Sequence, residues 1–152
     1  MLNEGDIAPN FTVKDQSGEA VKLSDLRGQK IVLYFYPKDD TPGCTKQACS
    51  LRDGFSTFEE KGIKVFGVSA DDETSHQNFI SKFNLPFTLL ADTDYSTAKN
   101  YGSYGDKEYG GKVYTGVLRK TFLIDETGKI KKIFNDVNVD AHADEVLQAF
   151  GE

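Results

Sequence analysis

The chain carries two cysteines, Cys44 and Cys49, inside the stretch YPKDDTPGCTKQACSLRD at 36–53. A thiol does nucleophilic or redox chemistry as its thiolate, and its surroundings decide how much thiolate is present. Thr41 suits a helix N-cap and Pro42 the first helical position, which puts Cys44 in a helix first turn. Backbone N–H groups there lack acceptors and the helix dipole is positive, so negative charge on sulfur is favoured. Gly43 keeps the approach to the thiol uncrowded, and the Thr41 hydroxyl is a candidate partner for the sulfur. Ionisation alone is a limited gain. A thiol of ordinary pKa is about 3% ionised at pH 7, so complete ionisation is worth roughly thirtyfold. A fast cysteine enzyme also needs groups that stabilise its transition state.

The spacing of the pair narrows the chemistry. Zinc knuckles and thioredoxin-type redox pairs use C-x-x-C, whereas four residues separate Cys44 from Cys49. On an intact helix, positions i and i+5 lie about 8.5 Å apart at Cα and about 140° round the axis. A disulfide needs Cα atoms within about 7 Å, so joining these two requires the helix to unwind. A plainer reading stands beside this one. Cys44 falls on the stripe Cys44, Ala48, Leu51, Phe55, Phe58, where a small apolar residue would simply pack inward, and Cys49 is then an unpartnered thiol. A metal site is disfavoured, because two thiolates need two further ligands. The two histidines are distant in sequence: His76 is expected in an exposed helix first turn, and His142 in a local structural contact. An iron–sulfur cluster needs four cysteines or equivalents. No metal and no cofactor is expected.

The elements that must position these residues read as alternating strands and helices. FTVKDQSGEAVKL reads as a hairpin turning at Gln16-Ser17-Gly18. The apolar run 30–36 suits a central strand covered on both faces, with 63–70 and 87–92 as further strands. Segments 120–125 and 129–134 form a second hairpin about Glu126-Thr127-Gly128. Lys129, Lys131 and Lys132, interleaved with Ile130 and Ile133, mark its wet face. Helices are expected at 42–61, 73–83, 94–101 and 140–150, and a long surface loop at 102–118. This order predicts an α/β fold, a mixed central sheet flanked by helices with an N-terminal β-hairpin.

A length of 152 residues fits a single domain. The net charge of −6 argues against a nucleic-acid partner, which needs a basic face. No apolar run approaches the roughly 18 residues of a membrane span, and the first residues carry no targeting signal. Two close cysteines do not make a secreted disulfide framework, so the expected setting is the reducing cytoplasm.

The stretches YFYPKDDTPGCTKQACSLRD and GVLRKTFLID together resemble the peroxiredoxins, in particular the bacterioferritin comigratory protein type, also called Q-type. The family pattern P-x-x-x-T-x-x-C falls on Pro37, Thr41 and Cys44, the family arginine on Arg119, and the resolving cysteine on Cys49. The resemblance extends through 5–37 and 140–147, nearly end to end. One departure is Tyr104, where many members have Trp. The resemblance implies a thioredoxin-like fold and reduction of hydrogen peroxide and organic hydroperoxides. Electrons would come from thioredoxin or a similar dithiol protein, with a role in redox homeostasis and antioxidant defence. Cys44 would become a sulfenic acid and Cys49 would condense with it after local unwinding, in a chain that need not dimerise. Arg119, always cationic, would stabilise the thiolate and the charge spreading over the peroxide oxygens. Thr41 would bond a peroxide oxygen, and Pro37 would shield the sulfur. Against this stand a protein disulfide oxidoreductase, which predicts C-x-x-C, a redox-responsive binding module, and a structural metal protein.

Overall fold

The computed structural model describes residues 2–151, the side chain of Tyr109 excepted. Strands β1 (Thr12–Lys14) and β2 (Ala20–Lys22) form the expected antiparallel hairpin, with Val13 opposite Val21. A short 3-10 turn, Leu23–Leu26, leads into β3 (Lys30–Phe35). Helices α1 (Pro42–Asp53) and α2 (Phe55–Glu60) follow, then β4 (Ile63–Ser69), α3 (Glu73–Phe83), β5 (Thr88–Ala91) and α4 (Ser96–Asn100). A hairpin of β6 (Tyr104–Tyr109) and β7 (Lys112–Val117) precedes β8 (Lys120–Ile124), β9 (Ile130–Phe134) and α5 (His142–Ala149).

The central sheet has the order β5-β4-β3-β8-β9. Strands β3, β4 and β5 run parallel, as helical crossovers require, while β8 and β9 join antiparallel through the predicted turn. The central position of β3 explains its unbroken apolar run, because successive side chains serve opposite faces. Val32 and Tyr34 face a core that holds Cys44, Ala48, Leu51 and Phe58, together with Phe79 from α3 and Val146 from α5. Ile31, Leu33 and Phe35 face a second core closed by Phe11, Val13 and Leu23 from the N-terminal segment and by Ala98 of α4. Each fully buried Leu, Val or Phe here contributes about 1.5–3 kcal/mol. This is the expected thioredoxin-like arrangement, a mixed sheet with helices on both faces and an N-terminal hairpin.

Two expectations fail locally. The helix foreseen over 42–61 is interrupted at Gly54. A Cβ at Gly54 would lie 2.8 Å from the Ala143 Cβ, so glycine lets α5 pack directly on this junction. The loop foreseen over 102–118 is largely the β6–β7 hairpin, in register from Tyr104↔Val117 to Tyr109↔Lys112. Its two-residue turn is Gly110-Gly111, both at positive φ (61° and 80°), as the tight turns that suit a twisted ribbon demand. Among the described residues no helix is long and apolar enough to cross a membrane.

Candidate active site

Helix α1 begins where the sequence places it, with Thr41 at the N-cap in extended conformation and Pro42 in the first turn. The Thr41 carbonyl accepts the first helical bond, from the Thr45 N–H at 2.8 Å. Among the described residues no side chain caps this end, so its first N–H groups keep their affinity for negative charge. Cys44 is 1% exposed and joins the core stripe, so the packing role and the first-turn position coincide in one residue. The Thr41 hydroxyl is turned elsewhere: it donates to the Lys38 carbonyl at 2.9 Å and so braces the loop ahead of the helix. Pro37, half-buried, opens that loop two residues after the end of β3.

Arg119 reaches this place through sheet topology. It lies between β7 and β8, and its neighbour Lys120 pairs with Phe35 at the end of β3. Arg119 is therefore set opposite the exit from β3, where the loop to Cys44 begins. Its Nη2 donates to Cys44 Sγ at 3.3 Å, and its Nη1 donates to Gln47 Oε1 at 2.6 Å. The planar fork thus spans two residues one helical turn apart, which a lysine could not do. Gly43 matters to this approach: a Cβ there would sit 3.2 Å from Arg119 Nη2. A fixed cation against sulfur stabilises a thiolate, and also the charge that develops when that thiolate attacks.

Gln47 and Lys107 are not singled out by the sequence reading. Gln47 is fully buried on the inner stripe, and its Nε2 has no hydrogen-bond partner among the described residues. A polar residue three positions after Cys44 on an otherwise apolar face was the available signal. Lys107 on β6 donates from Nζ to the Val117 carbonyl at 3.0 Å. Burial, with the nearby Arg119 charge, lowers its pKa, and the Cys44 charge opposes this. The hairpin that replaces the expected loop therefore brings a second cation towards the sulfur. Tyr34 lies beneath the helix in the same core; burial raises its pKa well above the ordinary value, with the charges of Cys44 and Asp39 adding to the effect.

Cys49 lies further along the same unbroken helix, half-buried, and both cysteines are free thiols. Tyr104 packs on Tyr95 with ring centroids 4.9 Å apart and carries Lys99 Nζ 4.9 Å above its ring. His142 makes one local contact, to Glu145 at 3.0 Å, and one long-range contact, to Thr121 Oγ1 on β8 at 2.9 Å. His76 overturns its expectation: it is fully buried, bonded to Asp39 and to the Leu90 carbonyl. Its neighbour Gln77 faces solvent, and the inward turn of the α3 stripe passes through His76 and Phe79. Among the described residues no group of three or more His, Cys, Asp or Glu side chains is placed to hold a metal ion.

The profile of the AhpC/TSA family matches residues 5–133. Peroxiredoxin Bcp of Escherichia coli is 46% identical over 146 residues, covering 96% of this chain and 94% of that one. The solved structure of a Xylella fastidiosa PrxQ, in a form with one cysteine replaced by serine, superposes with a TM-score of 0.91 at 33% identity, covering 100% of this chain and 99% of that one. The Xanthomonas campestris bacterioferritin comigratory protein, studied for its alkyl peroxide reduction activity, superposes at 0.86 with 33% identity, over 93% of this chain and 90% of that one.

Proposed function

We propose, from the premise that this chain belongs to the AhpC/TSA family and is a thiol-dependent peroxidase of the peroxiredoxin kind, that Cys44 is its peroxidatic cysteine and Cys49 its resolving cysteine. The observation that carries this reading is the 3.3 Å contact of Arg119 with Cys44 Sγ at the start of a helix that also bears Cys49. The Cys44 thiolate attacks one oxygen of a hydroperoxide. An S–O bond forms, the O–O bond breaks, and sulfur is oxidised by two electrons to the sulfenic acid. The other oxygen leaves with the electron pair, takes a proton, and departs as water or an alcohol. Arg119, held by Gln47, stabilises the thiolate and the charge that spreads over both oxygens. Thr41 shapes the loop through Lys38 and Pro37 shields the sulfur.

The second half-reaction needs motion. Cys49 cannot reach Cys44 on the wound helix, so α1 unwinds at its start and Cys49 displaces water from the sulfenic acid to give an intrachain disulfide. A dithiol protein such as thioredoxin then reduces it by thiol exchange. Such a cycle needs no second copy of the chain, so a monomer of one domain in the reducing cytoplasm suffices, acting on hydrogen peroxide and organic hydroperoxides. Two variants test it. Cys44→Ser should abolish peroxide consumption. Cys49→Ser should consume one equivalent and then stall with thioredoxin as reductant; normal turnover would remove Cys49 from the resolving role.

A further inference from the structure

The loop from Pro37 to Thr41 carries two of the residues above, yet it has no regular secondary structure of its own. Two ion pairs tie it to α3. The outer one joins Lys82 to Asp40 at 2.7 Å, between side chains that are both largely exposed. Such a pair is worth about 0–1 kcal/mol. It steadies Asp40 in the left-handed region (φ 58°), which few residues other than glycine adopt cheaply. The inner pair is of another kind. His76 is fully buried, with Nδ1 at 2.7 Å from Asp39 Oδ2 and Nε2 at 2.9 Å from the Leu90 carbonyl. A carbonyl only accepts. The Asp39 carboxylate also receives the Tyr36 and Ser75 hydroxyls, so it too serves as an acceptor. Both ring nitrogens therefore donate, and the ring is an imidazolium. Burial works against that charge, and the bonds to Asp39 and the Leu90 carbonyl, with the charges of Asp39 and Asp71, together outweigh it. Asp71, two residues beyond the end of β4, is the other carboxylate whose charge favours the protonated ring, and it accepts from the Asp39 backbone N–H at 2.8 Å.

We propose that His76 is a positioning residue for peroxide reduction: as an imidazolium bridging Asp39 and the β5 backbone, it fastens loop 37–41 to α3 and β5 and so holds the start of α1 wound, with Cys44 against Arg119. This rests on the function proposed above. The ring bonds Asp39 and the Leu90 carbonyl rather than the sulfur, so its effect on Cys44 is transmitted through the loop. It governs the balance between the wound form that attacks peroxide and the unwound form that makes the disulfide. Removing one member of a buried ion pair strands the other, so the loop loses its anchor rather than a single bond.

The test separates the two half-reactions. His76→Gln cannot donate from two opposite ring edges. It should slow sulfenic acid formation by hydrogen peroxide roughly 10- to 100-fold, the cost of a misplacement on the order of 1 Å. The later Cys44–Cys49 condensation should keep its wild-type rate or speed up. Amide exchange should rise in 38–46 while β3 and β4 stay protected. Ser75→Ala, a milder change that removes one donor to Asp39, should shift both readouts in the same direction by roughly three- to tenfold. A merely structural His76 would lower protection throughout and leave attack by the folded protein unchanged. That pattern would overturn the proposal, as would rates within twofold of wild type in both variants. If His76→Gln does not fold, Ser75→Ala decides alone. A wild-type protein that fails to consume peroxide would refute the proposed function itself, whereas unaffected variants of an active wild type refute only the role of His76.

Discussion

Replacing Arg119 with Met removes the charge and both hydrogen bonds while keeping much of the side-chain bulk. Two unit charges 3.3 Å apart attract by about 5 kcal/mol at an effective dielectric constant of about 20. Part of this is offset by the cost of holding both groups out of water, and charge-assisted hydrogen bonds in proteins retain about 1.5–3 kcal/mol net. That range converts to roughly 10- to 150-fold in rate, and loss of one preorganised donor in other enzymes reaches about 10²–10³-fold. Loss of the Gln47 Oε1 bond frees a buried amide whose Nε2 already has no partner among the described residues, which pushes the expectation to the upper part of that span. Arg119→Lys keeps a charge but cannot span Cys44 and Gln47 together, so it should fall between wild type and Met. The assay is single-turnover stopped flow with hydrogen peroxide in a Cys49→Ser background, where only sulfenic acid formation is followed. A second-order rate constant for Arg119→Met within threefold of its parent would refute the argument that this guanidinium stabilises the attacking sulfur.

Further expectations concern the scaffold. Gly67→Ala would place a Cβ 2.7 Å from Leu89 Cδ2 and from Tyr34 Cζ, in the middle of the sheet; a loss of about 1–3 kcal/mol in urea unfolding is expected, and a neutral result would mean that Tyr34 repacks freely. Leu51→Ala, at a fully buried position of α1, should cost about 2–5 kcal/mol by the same measurement. Burial lowers the pKa of His142, with the Arg119 charge adding to this and Glu145 opposing it. The unfolded chain then binds the proton more readily, so stability is lost as pH falls from about 6.5 towards the lowered folded value. Unfolding curves of His142→Gln should show a shallower loss than wild type across that window, and an unchanged slope would assign the pH dependence to other groups.

The parts legible in the sequence are those where one physical rule dominates. The inner stripe of α1 follows from helical spacing, the two-faced β3 from its continuous apolar run, and the turn at Gln16-Ser17-Gly18 from its residues. The cap at Thr41-Pro42 places Cys44 correctly in its first turn. Arg119 could be joined to Cys44 only through a resemblance, because 75 residues separate them and sheet pairing brings them together. The failures share a cause, which is tertiary packing at polar or small residues. The β6–β7 hairpin is exposed along most of β7 and glycine-rich, so no alternation marks its strands, although Gly110-Gly111 was a turn signal. Gly54 breaks a helix for the sake of α5, which cannot be inferred from residues 42–61 alone. His76 is polar by type and so is expected at the surface, but a carboxylate 37 positions away makes its burial possible.

The measurement that bears most directly on the central claim is a stoichiometric titration. Fully reduced protein receives one equivalent of hydrogen peroxide, and free thiols and intact mass are followed by rapid quench. Fast loss of both thiols and a mass lower by two hydrogens is expected, as Cys44 and Cys49 close an intrachain disulfide. A reaction no faster than that of free cysteine, or a product with Cys49 still free, would contradict it.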